Sequence, residues 1–478
     1  MMLKYFLPFV LASVLLAACG HEQPSGPLPI VIPRADEAIV YSRHIEPIFK
    51  TSCGGSGCHL DGQAGGAMRM DSWDAVMAGT DDGVTEVVPY SARKSHLFQH
   101  IVSDTSLAAP ALPRMPTGRD SLTLDEVLAI KRWIDEGAKS DRGEVALAGV
   151  DRRRIFIASR TENLVAAIDQ QSLRVARYLP ATTDDGNAAP AEPLAASDGA
   201  LYVTLSATGM VARYDVRTLA RTAQVQVGAA PAQIAASPNG ATLYVAHSDP
   251  DAETQYVSVV DTRSMRMVGT IDSVGRAPHG LVLSADGRQL YTINTLGDDI
   301  GVVDLATGKV LKRIPVSYNN PLIPGFIARY QPYCALLAPD GHTLWVTCRK
   351  SGEARAIDLN LGTVVDSIFV GVQPMMPAIT KDGKQLWVPN VVTNSISVID
   401  LGTRRLLATI PNVTQGPNAV AFSQDGRTAY ITCESLDEGT RHGGSGGVGG
   451  MYQIDVANRV ILAKIEIAAG STGIAVMP

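Results

Sequence analysis

The chain has 478 residues, 46% of them hydrophobic, which is enough for two or three domains. A net charge of −6 argues against nucleic acid as the main partner. Six cysteines are too few for a disulfide scaffold.

The chain opens like an export signal. Lys4 supplies a positive start, and Tyr5 to Ala18 is an uncharged apolar run too short to span a bilayer comfortably. It ends in Leu16-Ala17-Ala18-Cys19, which resembles the bacterial lipoprotein lipobox. The resemblance implies cleavage before Cys19 and lipid attachment to it. The alternatives are an ordinary signal peptide or a plain anchor. Gly20, not Asp, follows, and by likeness to Gram-negative sorting this implies the outer membrane, with the mature chain facing the periplasm. Residues 20–35 carry Pro24, Pro27, Pro29 and Pro33 and read as a stiff, extended tether.

Residues 36–140 read as a small all-α domain. Ile45, Ile48 and Phe49 fall at helical spacing just before Cys53-Gly-Gly-Ser-Gly-Cys58-His59. Two cysteines followed at once by a histidine are what covalent c-type haem attachment needs: each thiol adds to one vinyl group, and the histidine is brought under the iron. The usual spacing leaves two residues between the cysteines and here there are four. Gly54, Gly55 and Gly57 would let the longer loop still bring both sulfurs to one porphyrin edge. The alternatives are a Cys53–Cys58 disulfide and, more weakly, a zinc site. Short helices are expected over Ser72–Ala78 and Ser95–Val102. A longer one is expected from the capping box Thr123-Leu-Asp-Glu126, with Val127, Ile130, Trp133 and Ile134 on its apolar face and Gly137 at its end. Pro113 and Pro116 bracket Met115, whose thioether suits the sixth position of a haem iron.

Together these elements resemble a class I-like cytochrome c domain of the planctomycete type. The resemblance rests on Ile45-Glu-Pro-Ile-Phe49, the Cys53 to His59 stretch, Met70-Asp-Ser-Trp-Asp-Ala-Val-Met-Ala-Gly79, Val87-Val-Pro89, Arg114-Met115-Pro116 and Arg132-Trp-Ile-Asp-Glu-Gly-Ala138. It implies one covalent haem c, with Cys53 and Cys58 as thioether sites, His59 as proximal iron ligand and Met115 as distal ligand. Met68, Met70, Met77, His96 and His100 are rivals for the distal position. With both axial positions filled, the implied chemistry is one-electron transfer and not catalysis on the iron.

After a linker at residues 141–150, one pattern recurs through residues 151–478. A small-residue strand enters an Asp-Gly or Asn-Gly turn, and three more strands follow. The turn glycines are Gly199, Gly240, Gly287, Gly341, Gly383 and Gly426, spaced 41 to 54 residues apart, which signals a β-propeller. Third strands ending at Asp169, Asp215, Asp261, Asp304, Asp358, Asp400 and Asp455 give seven blades. The first unit lacks its opening strand and Gly473-Ile-Ala-Val-Met-Pro478 matches one, so the C-terminal strand is expected to close the ring. Over its full length this region resembles the YVTN family of seven-bladed propellers.

The long insertions, 182–191, 249–255, 317–331 and 435–450, are expected on one face. The first strands should set Glu192, Ala232, His279, Tyr333, Met375, Asn418 and Thr472 around the channel mouth on that face. His279, Tyr333 and Met375 form a candidate site, against the alternative of a plain structural ring. Cys334 and Cys348 flank the Asp340-Gly341 turn and are expected either to pair as a cross-strand disulfide or to stay free, leaving Cys433 unpaired. The string Gly443-Gly-Ser445-Gly-Gly447 has no following helix and is not a nucleophile elbow.

The sequence thus reads as a lipid-anchored c-type cytochrome fused to a propeller that binds a redox partner or ligand. The alternative is an oxidoreductase with a second redox centre on the propeller. Cytochrome cd1 nitrite reductases share this domain order but have eight blades. A third reading makes the propeller a scaffold or adhesion module.

Overall fold

The structure is a computed structural model and describes residues 30–54, 58–60, 68–80, 83–182, 186–249, 255–318, 328–413, 416–434 and 449–477. The export segment with Cys19, most of the tether, Gly55, Gly57, the 443–447 glycine string and parts of the four long insertions lie outside the described residues. Among the described residues no helix is long and apolar enough to cross a membrane.

The chain is mostly β with few helices. A helical stretch runs through Tyr41–Ile45, Glu46–Ile48 and Phe49–Cys53, followed by helices at Trp73–Ala78, His96–Ile101 and Leu124–Asp135. Their starts follow from local chemistry. The Ser72 hydroxyl accepts from the Ala75 N–H at 3.2 Å. Thr123 and Glu126 complete a reciprocal capping box, with the Glu126 carboxylate accepting from the Thr123 N–H at 2.7 Å. Val127, Ile130, Trp133 and Ile134 are buried on one face of the last helix, in a core shared with Tyr41, Ile45, Phe49 and Phe98. The rings of Tyr41 and Trp133 lie 5.4 Å apart. At Gly137, φ is +108° and a Cβ would strike the Tyr90 ring, so the helix ends where only glycine fits.

Residues 154–477 form a seven-bladed β-propeller of seven four-stranded antiparallel sheets. The first blade is assembled from both ends of this region. Ser471–Val476 pairs with Arg154–Ser159, setting Ile155 opposite Val476 and Ile157 opposite Ile474. The third strand of every blade ends on the expected aspartate, from Leu164–Asp169 to Gly450–Asp455. These aspartates tie the turn that follows. Asp169, Asp215, Asp261, Asp304 and Asp400 each accept from the N–H and hydroxyl of a Ser or Thr three residues on.

The first strands repeat a second device. Pro190, Pro231, Pro278, Pro332 and Pro417 each open such a strand, and in each the pairing register shifts just after the proline. Proline suits this innermost edge because it donates nothing to the ladder. The bulge that follows re-aims one side chain toward the axis.

One of these bulges overturns the cross-strand disulfide. The shift between Pro332 and Ala335 sets Cys348 opposite Pro332, while the Cys334 N–H meets the Thr347 hydroxyl at 3.3 Å. Cys334 therefore packs with Met376 and Ala419, and Cys348 packs with Val346 and Ile357 in a different cluster. Both are free thiols, as is Cys433.

The helical part sits against the first blade. The Arg174 guanidinium donates to the Thr80 carbonyl at 3.1 Å, and the Val175 N–H donates to the Thr85 hydroxyl at 3.0 Å. The Arg177 guanidinium lies 4.3 Å from the centre of the Tyr90 ring. Lys94 pairs with Glu162. Val88 is buried in a cluster with Ile155, Ile157, Ile465 and Ile467, flanked by Ile474 and Val476.

Candidate functional site

A cavity of about 360 Å³ opens within the helical part and is lined by Cys53, Cys58, His59 and Met115. Four residues chosen from two distant stretches of sequence thus face one space. Phe49, Leu97, Ile101, Leu122 and Ile130 give it apolar walls. Cys53 ends the first helical stretch and is buried, and burial pushes its thiol up to about 12, so it is held as the uncharged thiol. The backbone passes Gly54 closely enough that a Cβ there would collide with the Lys50 carbonyl and the Leu60 side chain. The His59 N–H donates to the Cys53 carbonyl at 3.2 Å, fixing the imidazole at the end of this loop. Its Nδ1 lies 2.9 Å from the Met68 carbonyl oxygen. A carbonyl only accepts, so the proton sits on Nδ1 and Nε2 carries the lone pair.

Met115 is held by its own N–H, which donates to the His100 carbonyl at 2.9 Å. Of the rivals, Met68, Met70 and His100 also line the cavity. Met77 is buried in the surrounding core, and His96 begins a helix; neither is among the lining residues. Among the described residues no three His, Cys, Asp or Glu side chains gather as a metal-binding set.

A second cavity, of about 580 Å³, lies on the propeller axis, because residues from all seven blades line it. Glu192, Ala232, His279, Tyr333, Met375, Asn418 and Thr472 are all there, as the strand pattern implies. Most of these follow the repeated proline and stand on its bulge. The His279 and Tyr333 rings are stacked with centroids 3.6 Å apart, and the Arg349 guanidinium lies 4.7 Å from the same Tyr333 ring. Burial, and then the charge of Arg349, bring the imidazole of His279 down to about 3, so it is neutral. Burial pushes the Glu192 carboxyl up to about 8, against the pull of Arg160.

Arg160, Arg349 and Glu434 at this mouth escape the sequence reading. Each directly follows the strand paired with a first strand: Arg160 after Arg154–Ser159, Arg349 after Thr343–Cys348 and Glu434 after Thr428–Cys433. That recurring position is the signal that would have found them.

No family model matches the chain. It is 24% identical over 204 residues to the uncharacterized protein YncE of Salmonella typhimurium, an alignment spanning 42% of this chain and 54% of the relative. It is 23% identical over 231 residues to Antigen Lp49 of Leptospira interrogans, spanning 46% of this chain and 48% of that protein. The chain thus spans about half the length of the curated relatives it matches. A solved structure of a functionally unknown protein from Desulfotomaculum acetoxidans superposes with a TM-score of 0.52 at 11% identity, covering 68% of this chain and 98% of that one. At that identity the likeness is one of fold. The propeller region thus has YncE-like relatives.

Proposed function

We propose that this protein is a c-type cytochrome that carries one electron at a time through a covalently held haem, and that the propeller binds its redox partner or a ligand. The observation that carries this reading is the convergence of Cys53, Cys58, His59 and Met115 on one apolar-walled cavity. The donor set fits the group. Two thiols lie next to a histidine whose Nδ1 is committed to a carbonyl, leaving Nε2 as a metal donor. A thioether comes from a separate segment, and the volume lies within the roughly 300–1,000 Å³ of small-molecule sites.

When bound, the haem would supply reversible one-electron chemistry. The chain's own contributions are definite. Cys53 and Cys58 would tether the group. The Met68 carbonyl holds His59 in one tautomer and one orientation. The fixed Met115 backbone would present its thioether as a further donor to the metal, which would deny substrates a place on it. The apolar side chains of Phe49, Leu97 and Ile130 would keep water from the bound group and so favour its less charged redox state.

The same reading includes the lipid anchor at Cys19 and a periplasm-facing, outer-membrane location. It rests there on Leu16 to Gly20 and on the assembly of c-type cytochromes outside the cytoplasm. The test is a set of absorption spectra, oxidised and reduced, of the full chain made with haem-attachment machinery, together with metal analysis. One covalent haem per chain with a methionine–iron charge-transfer band is expected. A second chromophore in equal amount would favour an oxidoreductase. A chain with no covalent haem would overturn the reading and return Cys53 and Cys58 to thiols or a disulfide, with the propeller as a scaffold.

A further inference from the structure

The propeller mouth holds polar groups whose bonding capacity the fold does not use. Asn418 is only 2% exposed, and its amide nitrogen donates to the Glu434 carboxylate at 3.1 Å. A carboxylate accepts and cannot donate, so the nitrogen is fixed on that side. The Asn418 oxygen is then left buried, with no hydrogen-bond partner among the described residues. A buried acceptor of this kind calls for a donor that the protein itself does not supply.

The cations are in the same condition. The Arg349 guanidinium is held against the Tyr333 ring, its Nε is buried without a partner, and no carboxylate among the described residues pairs with it. Arg160 stands exposed at the rim and makes no ion pair among the described residues either. Stacking on an aromatic face holds a guanidinium flat and leaves its edge for a planar two-oxygen group. His279 adds a neutral ring. Its Nδ1 lies 3.2 Å from the Tyr333 carbonyl, which again leaves Nε2 as an acceptor. The mouth therefore sets two cations and two open acceptors, beside the carboxyls of Glu192 and Glu434, in a space of about 580 Å³.

We propose that the propeller mouth binds a small hydroxycarboxylate. The carboxylate groups pair with Arg349 and Arg160, and the ligand hydroxyl donates to the Asn418 oxygen. The site does not rest on the haem reading, since its groups all belong to the propeller, and binding can be read whether or not a haem spectrum is found.

The test is calorimetric titration of the full chain with malate, with succinate (which lacks only the hydroxyl) and with sulfate as a plain anion. Malate is expected to bind saturably and at least about fivefold tighter than succinate, because a site built for a hydroxyl discriminates against its loss. Arg349→Gln should weaken malate at least about tenfold, as expected when a charge-assisted bond is lost. Asn418→Ala should keep binding but remove the preference for malate over succinate. Should Arg349→Gln fail to fold by circular dichroism, Arg160→Gln, at an exposed position, replaces it with the same expectation. Absence of saturable malate binding, equal binding of sulfate, or an unchanged affinity in the arginine variant would overturn the proposal.

Discussion

The imidazole of His279 lies against the ring of Tyr333 with the two planes 25° from parallel, and its Nδ1 meets the carbonyl of that same tyrosine. The pair bridges two neighbouring blades at the axis, so the protonation of one ring bears on the fit of both.

A pH dependence follows. Burial first, and then the charges of Arg349 and Arg160, hold His279 at about 3 against an ordinary 6.5. The unfolded chain takes up this proton below pH 6.5 and the folded chain does not, so its stability contribution is full above 6.5 and is lost as pH falls toward 3. Glu192 on the same cavity works in the other direction: raised from 4.5 to about 8, its contribution is full below 4.5 and is lost as pH rises through 8. Between pH 7 and pH 4 the wild type should lose up to about 3 kcal/mol more stability than His279→Gln, on the order of the linkage for one buried histidine. Urea denaturation at both pH values measures this. Parallel losses in the two proteins would show that the histidine is not the titrating group.

On the proposed electron-transfer reading, Met115→Ala should leave the haem covalently attached, because the tethers are Cys53 and Cys58. The methionine–iron band should vanish, and the potential should fall by on the order of 0.1 V, within the roughly 0.8 V that axial ligands span. Redox titration followed by absorbance reads both. A band that survives would pass the ligand role to Met68 or Met70 on the same cavity wall.

Deleting residues 471–478 removes the strand that closes the first blade on Arg154–Ser159. The loss exposes Ile155 and Ile157 and opens the ring, so the whole propeller should lose more than about 4 kcal/mol, a size reserved for disrupted cores. The expected result is a single urea transition moved to lower concentration. A variant that keeps the wild-type midpoint would mean that the ring does not depend on this closure.

Much of the architecture was legible in the sequence because it is periodic. The seven aspartates marked seven third strands, since each accepts a backbone N–H from the turn that follows, and five of them add a Ser or Thr hydroxyl. The unmatched strand at the end of the chain foretold the closure. The capping box at Thr123 and Glu126 was readable because it is local. The residues named for the channel ring do line one cavity, and Cys53, Cys58, His59 and Met115 line another. The chemistry of the mouth was not legible. Arg349 looks like any turn residue until folding lays it on Tyr333. Cys334 and Cys348 looked equidistant from their turn, and only the bulge after Pro332 shows that counting residues along two strands misplaces their faces.

The seat of the helical part gives the chain an order of events. Val88 packs into a cluster flanked by Ile474 and Val476, so an early residue rests beside residues far later in the sequence. Translation runs from the N-terminus, yet this berth is finished only when the Ser471–Val476 strand arrives. The helical segment can gather its own core around Trp133 well before that moment. On the proposed haem reading, attachment at Cys53 and Cys58 would have a window of its own, open while the segment is folded but not yet moored, and shut when Ser471–Val476 docks.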